Sequence, residues 1–222
     1  MKLTLMGILA LVLYAADVFL FVPIYTKKKY DHSSRTDKLI WKGICIGIPL
    51  AVLLAGFIYE STAGEFTAVR LMVLLGMLAC AAGDIVLEIR FVRGGFLFFT
   101  GHLLYVIALI LYTKEISGTA IVVYLMLAGI GTFLTVDKLD KKYRTLLIGY
   151  NLMISASFAL GVELFLTYET VNMLWGLGSM FLVISDWLLA RTKMAGSIFR
   201  RSLIYLEFYF VGQMLISAIV LF

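Results

Sequence analysis

The chain has 222 residues, 62% of them apolar and only 15% charged, with a mean hydropathy of +1.00. Soluble domains lie nearer half apolar, so this composition excludes a water-soluble globular protein and points to one whose main solvent is lipid. The formal net charge of +5 does not mark a nucleic-acid surface, because its distribution along the chain has a simpler use, which is to orient the helices.

A membrane-spanning helix takes about 20 mainly apolar residues, since in lipid every backbone group must be bonded within its own segment. Read in chain order, the apolar runs predict eight spans, and hence an all-α integral membrane protein forming one polytopic domain over residues 1–222. The first, Leu3–Tyr25, follows only Lys2 and contains Asp17. It exceeds the roughly 7–15-residue core of a secretion signal and is expected to be a retained helix. The next are Lys38–Tyr59, Thr67–Arg90 and Gly95–Thr113, with Arg93-Gly94-Gly95 expected as a tight glycine connection before the fourth. Gly118–Val136, Tyr143–Thr167, Val171–Ala190 and Ser202–Phe222 complete the set.

Lysine and arginine alternate between the span ends. One set of connections holds Lys27, Lys28, Lys29, Arg35, Lys38, Lys42, Arg90, Arg93, Lys138, Lys141, Lys142, Arg144, Arg191, Lys193, Arg200 and Arg201, and the other holds Lys2, Arg70 and Lys114. The positive-inside rule then places both termini on the non-cytoplasmic face. Cys45 and Cys80 fall inside spans without a CxxC pair, so they read as packing residues rather than as a zinc site or a disulfide framework.

The third and seventh spans share a pattern: Gly76, Gly83-Asp84 and Leu87 in one, Gly178, Ser185-Asp186 and Leu189 in the other. The spans that follow repeat the likeness with Gly101-His102 and Leu104 against Gly212-Gln213 and Leu215. Partners four spans apart run in the same direction, which suggests a parallel 4+4 internal repeat with halves 1–116 and 117–222. The first and second spans show no such match to the fifth and sixth.

An ionisable side chain near the bilayer centre costs about 2.5–3.5 kcal/mol or more on insertion scales and therefore faces a partner or a wet cavity. Asp17, Asp84, Glu88, His102, Asn151, Asp186 and Gln213 come from six different spans yet lie at similar depth, which predicts one hydrated pocket open towards the cytoplasmic leaflet. Asp84 and Asp186, at equivalent positions in long apolar stretches, are the strongest functional candidates. Glu88, close to Arg90 and Arg93, reads as an interfacial ion-pair partner, while Asn151 and Gln213 fit the helix-tying use of buried amides. His102 is one of two histidines, the other being His32 in a basic loop, and Tyr105 and Tyr209 stand about one turn from His102 and Gln213.

In Gly83-Asp84 with Leu87, Gly95, Phe98 and Gly101-His102-Leu-Leu-Tyr105, then Ser185-Asp186-Trp-Leu-Leu-Ala190, Tyr209 and Gln213-Met-Leu-Ile216, the sequence resembles the YhhN-like lysoplasmalogenases. The resemblance runs from the third span to the C-terminus, whereas the first two spans match only in hydropathy and length. It implies an eight-helix hydrolase of a bacterial cytoplasmic membrane. Its partners would be a lysophospholipid held within the bilayer and the surrounding membrane lipids, with no nucleic acid. It would cleave the vinyl ether bond to release a fatty aldehyde and a glycerophospho-alcohol, with Asp84 and Asp186 as the catalytic pair and no metal or other cofactor.

That chemistry suits the residues. Vinyl ethers hydrolyse through protonation of carbon and capture of an oxocarbenium ion by water, so one carboxyl donates the proton while the other stabilises the cation. His102 is expected to bond an aspartate or relay protons, Gln213 to hold water, and Asp17, Tyr105, Asn151 and Tyr209 to line the substrate pocket. Three rival readings remain at this stage. A metal-dependent hydrolase would need a carboxylate-dominated site, since His102 is the only histidine within a span. An intramembrane aspartyl protease fits less well, because Ala81-Ala82-Gly83-Asp84 lacks the glycine expected two residues before Gly83. A small proton-coupled transporter or lipid-binding protein would draw on the repeat and the buried acids.

Overall fold

The computed structural model describes residues 5–31, 33–63, 67–136, 141–194 and 204–221, and among them all regular structure is helical. We number the helices α1 (Leu5–Tyr30), α2 (Arg35–Thr62), α3 (Ala68–Leu87), α4 (Phe91–Thr113), α5 (Gly118–Val136), α6 (Lys141–Phe165), α7 (Thr170–Met194) and α8 (Ile204–Ser217, continued by a 3₁₀ turn, Ala218–Leu221). Seven are long and apolar enough to cross a membrane, and α5 is a shorter apolar helix, so each expected span is a helix. Lys2, His32, Lys138, Arg200 and Arg201 of the sequence reading lie outside the described residues.

Local chemistry sets several boundaries. Ser34 caps α2, its Oγ accepting the Asp37 N–H at 3.1 Å, and Thr67 caps α3 by accepting the Arg70 N–H at 3.3 Å. Two boundaries differ from expectation. α1 continues beyond Tyr25 to Tyr30, carrying Lys27, Lys28 and Lys29 on a helix instead of in a loop, and it contains a π-helical turn at Asp17–Phe21. The connection between α3 and α4 is made by residues 88–90, and Arg93-Gly94-Gly95 already belongs to α4. Gly94 serves close approach instead of a turn, since a Cβ there would lie 2.6 Å from the Leu87 Cα.

The two most extensive interfaces are α3 with α4 and α7 with α8. Lipid gives no hydrophobic drive for helix association, so helices pair where small residues let backbones touch. A Cβ on Gly76 would stand 3.1 Å from the Gly101 carbonyl oxygen, and one on Gly101 2.9 Å from that of Gly76. The α7–α8 pair has the same arrangement: 2.9 Å from Gly178 to the Gly212 oxygen and 3.0 Å in the reverse direction. α8 is the most buried span and packs among α1, α2 and α7, while α5 leans chiefly on α6. Apolar side chains such as Val12, Phe19, Leu125 and Phe133 face outward, as helices immersed in lipid require.

Gly101→Ala and Gly212→Ala are therefore expected to lose about 1–3 kcal/mol of stability by overpacking. Gly43→Ala and Gly149→Ala, where a Cβ meets no atom within 4 Å, should be neutral or slightly stabilising because alanine is the better helix former. Unfolding of the four purified variants in detergent checks this, and equal losses in all four would show that the glycine contacts do not hold the hairpins together.

Candidate active site between the two helix hairpins

The polar residues gather where α8 meets the α3–α4 hairpin. Asp84, one turn from the end of α3, is almost completely buried, as is Lys42 in the second turn of α2. The Lys42 ammonium lies 2.9 Å from Asp84 Oδ1 and also donates to the Asp84 backbone carbonyl at 2.9 Å. The Tyr209 hydroxyl of α8 donates to Asp84 Oδ2, so both carboxylate oxygens are engaged. Gln213, one turn further along α8, donates to the Tyr209 oxygen at 3.3 Å and accepts from the Tyr105 hydroxyl at 2.9 Å. This chain of bonds ties α2, α3, α4 and α8 together around one carboxylate, and a buried ammonium is tolerable only with its donors used in this way.

Asp186 of α7 has different company. His102 Nε2 lies 2.8 Å from Asp186 Oδ2, and the Tyr150 hydroxyl of α6 donates to the same oxygen. His102 Nδ1 meets no partner among the described residues. One carboxyl is thus set against an ammonium and the other against an imidazole and a phenol, and such unlike surroundings separate the roles of paired acids.

Asp84 and Asp186 line one small cavity of about 20 Å³, together with Lys29, Lys42, Phe98, Tyr205 and Tyr209. A larger cleft of about 270 Å³ adjoins it and shares Leu87, Phe98, Asp186 and Leu189. Its wall is otherwise Phe91, Val92, Gly95, Leu146, Leu147, Tyr150 and Ala190, an apolar slot between the α3–α4 hairpin, α6 and α7 that ends at a carboxyl. Among the described residues no group of three or more His, Cys, Asp or Glu is placed to hold a metal ion.

Glu88, immediately after α3, pairs with Lys29 at 2.8 Å and Lys42 at 3.5 Å, and accepts from the Tyr25 hydroxyl at 3.0 Å. Its partners therefore come from α1 and α2, not from Arg90 or Arg93 of the adjacent connection. Burial alone would raise the Glu88 carboxyl, but the two ammonium groups and the hydrogen bonds from Lys29 and Tyr25 outweigh it and hold the group at about 2, below its ordinary 4.5.

Of the residues singled out in the sequence, Asp84, Asp186, His102, Tyr105, Tyr209 and Gln213 come together here. Asn151 does not line either cavity. Its amide donates to the Ala128 carbonyl at 3.2 Å and to Thr132 at 3.3 Å and accepts from the Trp187 indole at 3.1 Å. Since Tyr150 and Asp186 are the neighbours of Asn151 and Trp187, this tie sets the register of the Tyr150–Asp186 bond. Asp17 also lies apart, fully buried at the π-helical turn, with no hydrogen-bond partner on either carboxyl oxygen among the described residues. Lys42, Lys29 and Tyr150 were missed as site residues. The signal for Lys42 was present, as a lysine inside the expected second span, but its neighbours at the span end made it look interfacial.

Eight apolar helices around a buried pair of differently partnered carboxyls define a polytopic membrane protein with a polar centre reached from an apolar cleft. The chain belongs to the YhhN family, whose sequence model matches residues 37–220 and so covers nearly all of α2 through α8 while leaving α1 outside. No curated protein and no solved structure matches the chain.

Proposed function

We propose that the protein hydrolyses the vinyl ether bond of lysoplasmalogen-type lysophospholipids. The observation that carries this reading is the junction of the two cavities, where an apolar slot suited to a single alkenyl chain ends at Asp186 and opens onto the chamber shared with Asp84. The reaction adds water across the bond: R–CH=CH–O–R′ and H₂O give R–CH₂–CHO and HO–R′.

Asp186 donates a proton to the outer alkenyl carbon, leaving an oxocarbenium ion. His102 and Tyr150 hold its carboxyl by Oδ2 and orient it towards the substrate. Asp84, paired with the Lys42 ammonium and bonded by the Tyr209 hydroxyl, stabilises the cation electrostatically. Water adds to the carbon bearing oxygen and gives up a proton to the carboxylate that Asp186 has become. The hemiacetal then collapses as that proton passes to the leaving oxygen while the hemiacetal hydroxyl returns its own proton to Asp186, releasing neutral aldehyde and alcohol and restoring the acid. Gln213 and Tyr105, bonded to each other behind Tyr209, position the hydroxyl nearest the attacking water. Asn151 contributes to the substrate pocket through the helices it ties together. The basic rim faces the cytoplasm, with both termini on the opposite face of a bacterial inner membrane.

Incubating the purified protein in detergent with an alkenyl lysophospholipid and, in parallel, with its ester counterpart tests this by mass spectrometry. Free aldehyde from the alkenyl lipid alone is the expected result, and absence of product from both lipids would refute the reading.

A further inference from the structure

Lys29 lies outside the residues that match the family, and the mechanism above leaves it and Glu88 without a task. They are the outermost members of the polar network, each about 15% exposed at the side chain, whereas Lys42 and Asp84 behind them are closed off. The Lys29 ammonium touches Glu88 Oε1 at 2.8 Å and the Tyr25 hydroxyl at 3.1 Å. It also stands 5.4 Å from the centroid of the Tyr25 ring and 6.0 Å from that of Tyr205. A carboxylate flanked by tyrosine rings is the environment in which proteins hold substrate ammonium groups, and here the protein's own ammonium fills it. Lys29 and Lys42 also converge on a single oxygen of Glu88, so any movement of Lys29 off that oxygen leaves two ammonium groups close together at the edge of the cavity that both lysines line.

We infer that the Lys29–Glu88 ion pair is the headgroup site of this protein, opening to receive a zwitterionic phospho-ammonium headgroup. The inference rests on the proposed lysophospholipid substrate. The incoming ammonium takes the place of Lys29 against Glu88, Tyr25 and Tyr205, and the phosphate is held by the displaced Lys29 and by Lys42. The exchange is balanced in charge, since one positive and one negative group enter where one ion pair opens, and no uncompensated charge is buried. The long, rotatable lysine stem allows the movement while the ammonium keeps an anion throughout. A phosphate headgroup lacking an ammonium would leave Glu88 without its cation, so the site discriminates against it.

Saturated alkyl-ether lysolipids have the same tail and headgroup but no vinyl ether to cleave, so they separate binding from hydrolysis. Three are titrated against the full-length protein by native mass spectrometry: one with phosphoethanolamine, one with phosphate alone, and an alkylglycerol with neither. The wild type should bind the phosphoethanolamine lipid tightest. Lys29→Met should weaken both phosphate-bearing lipids by about tenfold or more and leave the alkylglycerol unchanged, with Lys29→Arg restoring most of the loss. Glu88→Gln should weaken only the phosphoethanolamine lipid by a similar factor. Equal weakening of all three lipids, or no weakening in either variant, overturns the inference. If the pattern holds while alkenyl lipids yield no aldehyde, the headgroup site stands and the hydrolase reading falls. Aldehyde release without the pattern does the reverse.

Discussion

Asp186→Asn is expected to lower aldehyde release from an alkenyl lysophospholipid by about 10²- to 10⁴-fold, the range over which positioned general acids act. In the proposed reaction the slow step is proton transfer to carbon, and an amide has no proton of the required acidity. The substitution is nearly isosteric, and the amide oxygen still accepts from Tyr150 and His102, so unfolding in detergent should change little. Retention of more than a tenth of the wild-type rate would remove Asp186 from the role of acid. His102→Gln distinguishes a positioning partner from a proton donor. It should lower the rate less than Asp186→Asn, because the acid itself remains and only the contact that orients it, His102 Nε2 at 2.8 Å from Asp186 Oδ2, is altered.

The largest effect on stability is expected at Lys42. Replacing it with methionine preserves most of the side-chain volume but leaves the Asp84 carboxylate buried without its cation, a defect that costs about 3–5 kcal/mol when one partner of a buried pair is removed. Adding Asp84→Asn to Lys42→Met should recover much of that loss, because the amide no longer brings an unpaired charge into the protein. A double-mutant cycle on detergent unfolding measures the coupling directly. If the single and double variants were equally stable, the 2.9 Å contact would carry no coupling and Asp84 would have to be held by Tyr209 alone.

How far the sequence reveals this site depends on how unusual each residue is in its setting. Asp84, Asp186, His102 and Gln213 stand out because a polar group deep in an apolar run is costly and rare, and the structure joins Asp186 with His102 in one network and Asp84 with Gln213, through Tyr209, in another. Lys42 has equal weight in the Asp84 network, but a lysine four residues into an expected span is common at membrane interfaces. Only the start of α2 at Arg35 and the packing of α3 against it place the ammonium inside. Tyr150 escapes notice for a different reason, since the chain has 12 tyrosines and nothing local marks the one whose hydroxyl meets Asp186.

Helix existence followed from run length, whereas the error at Arg93-Gly94-Gly95 came from giving glycine its commonest use. Two adjacent glycines beside a charged residue suggest a turn. Yet Gly94 is needed because the α4 backbone passes against Leu87, a tertiary contact with no signature among neighbouring residues. α1 ran longer than its apolar stretch because Lys27, Lys28 and Lys29 are good helix formers, two of which gain partners on neighbouring segments, Glu88 for Lys29 and Asp37 for Lys28.

The π-helical turn at Asp17–Phe21 contains one residue more than an α-helical path through the same stretch would use. Each α-helical residue advances the azimuth by about 100°, so the extra residue re-phases everything before it relative to everything after it. Ala10 now faces the bundle at 2% exposure, while Leu9 and Val12 look outward at 57% and 60%. Deleting a single residue from the turn would rotate the leading segment of α1 by roughly a quarter of a revolution about its own axis, exchanging the stripe that meets lipid for the one that meets protein. One codon in this helix thus acts as a rotary setting for Leu5–Ala16, without touching Asp84, Asp186 or their partners.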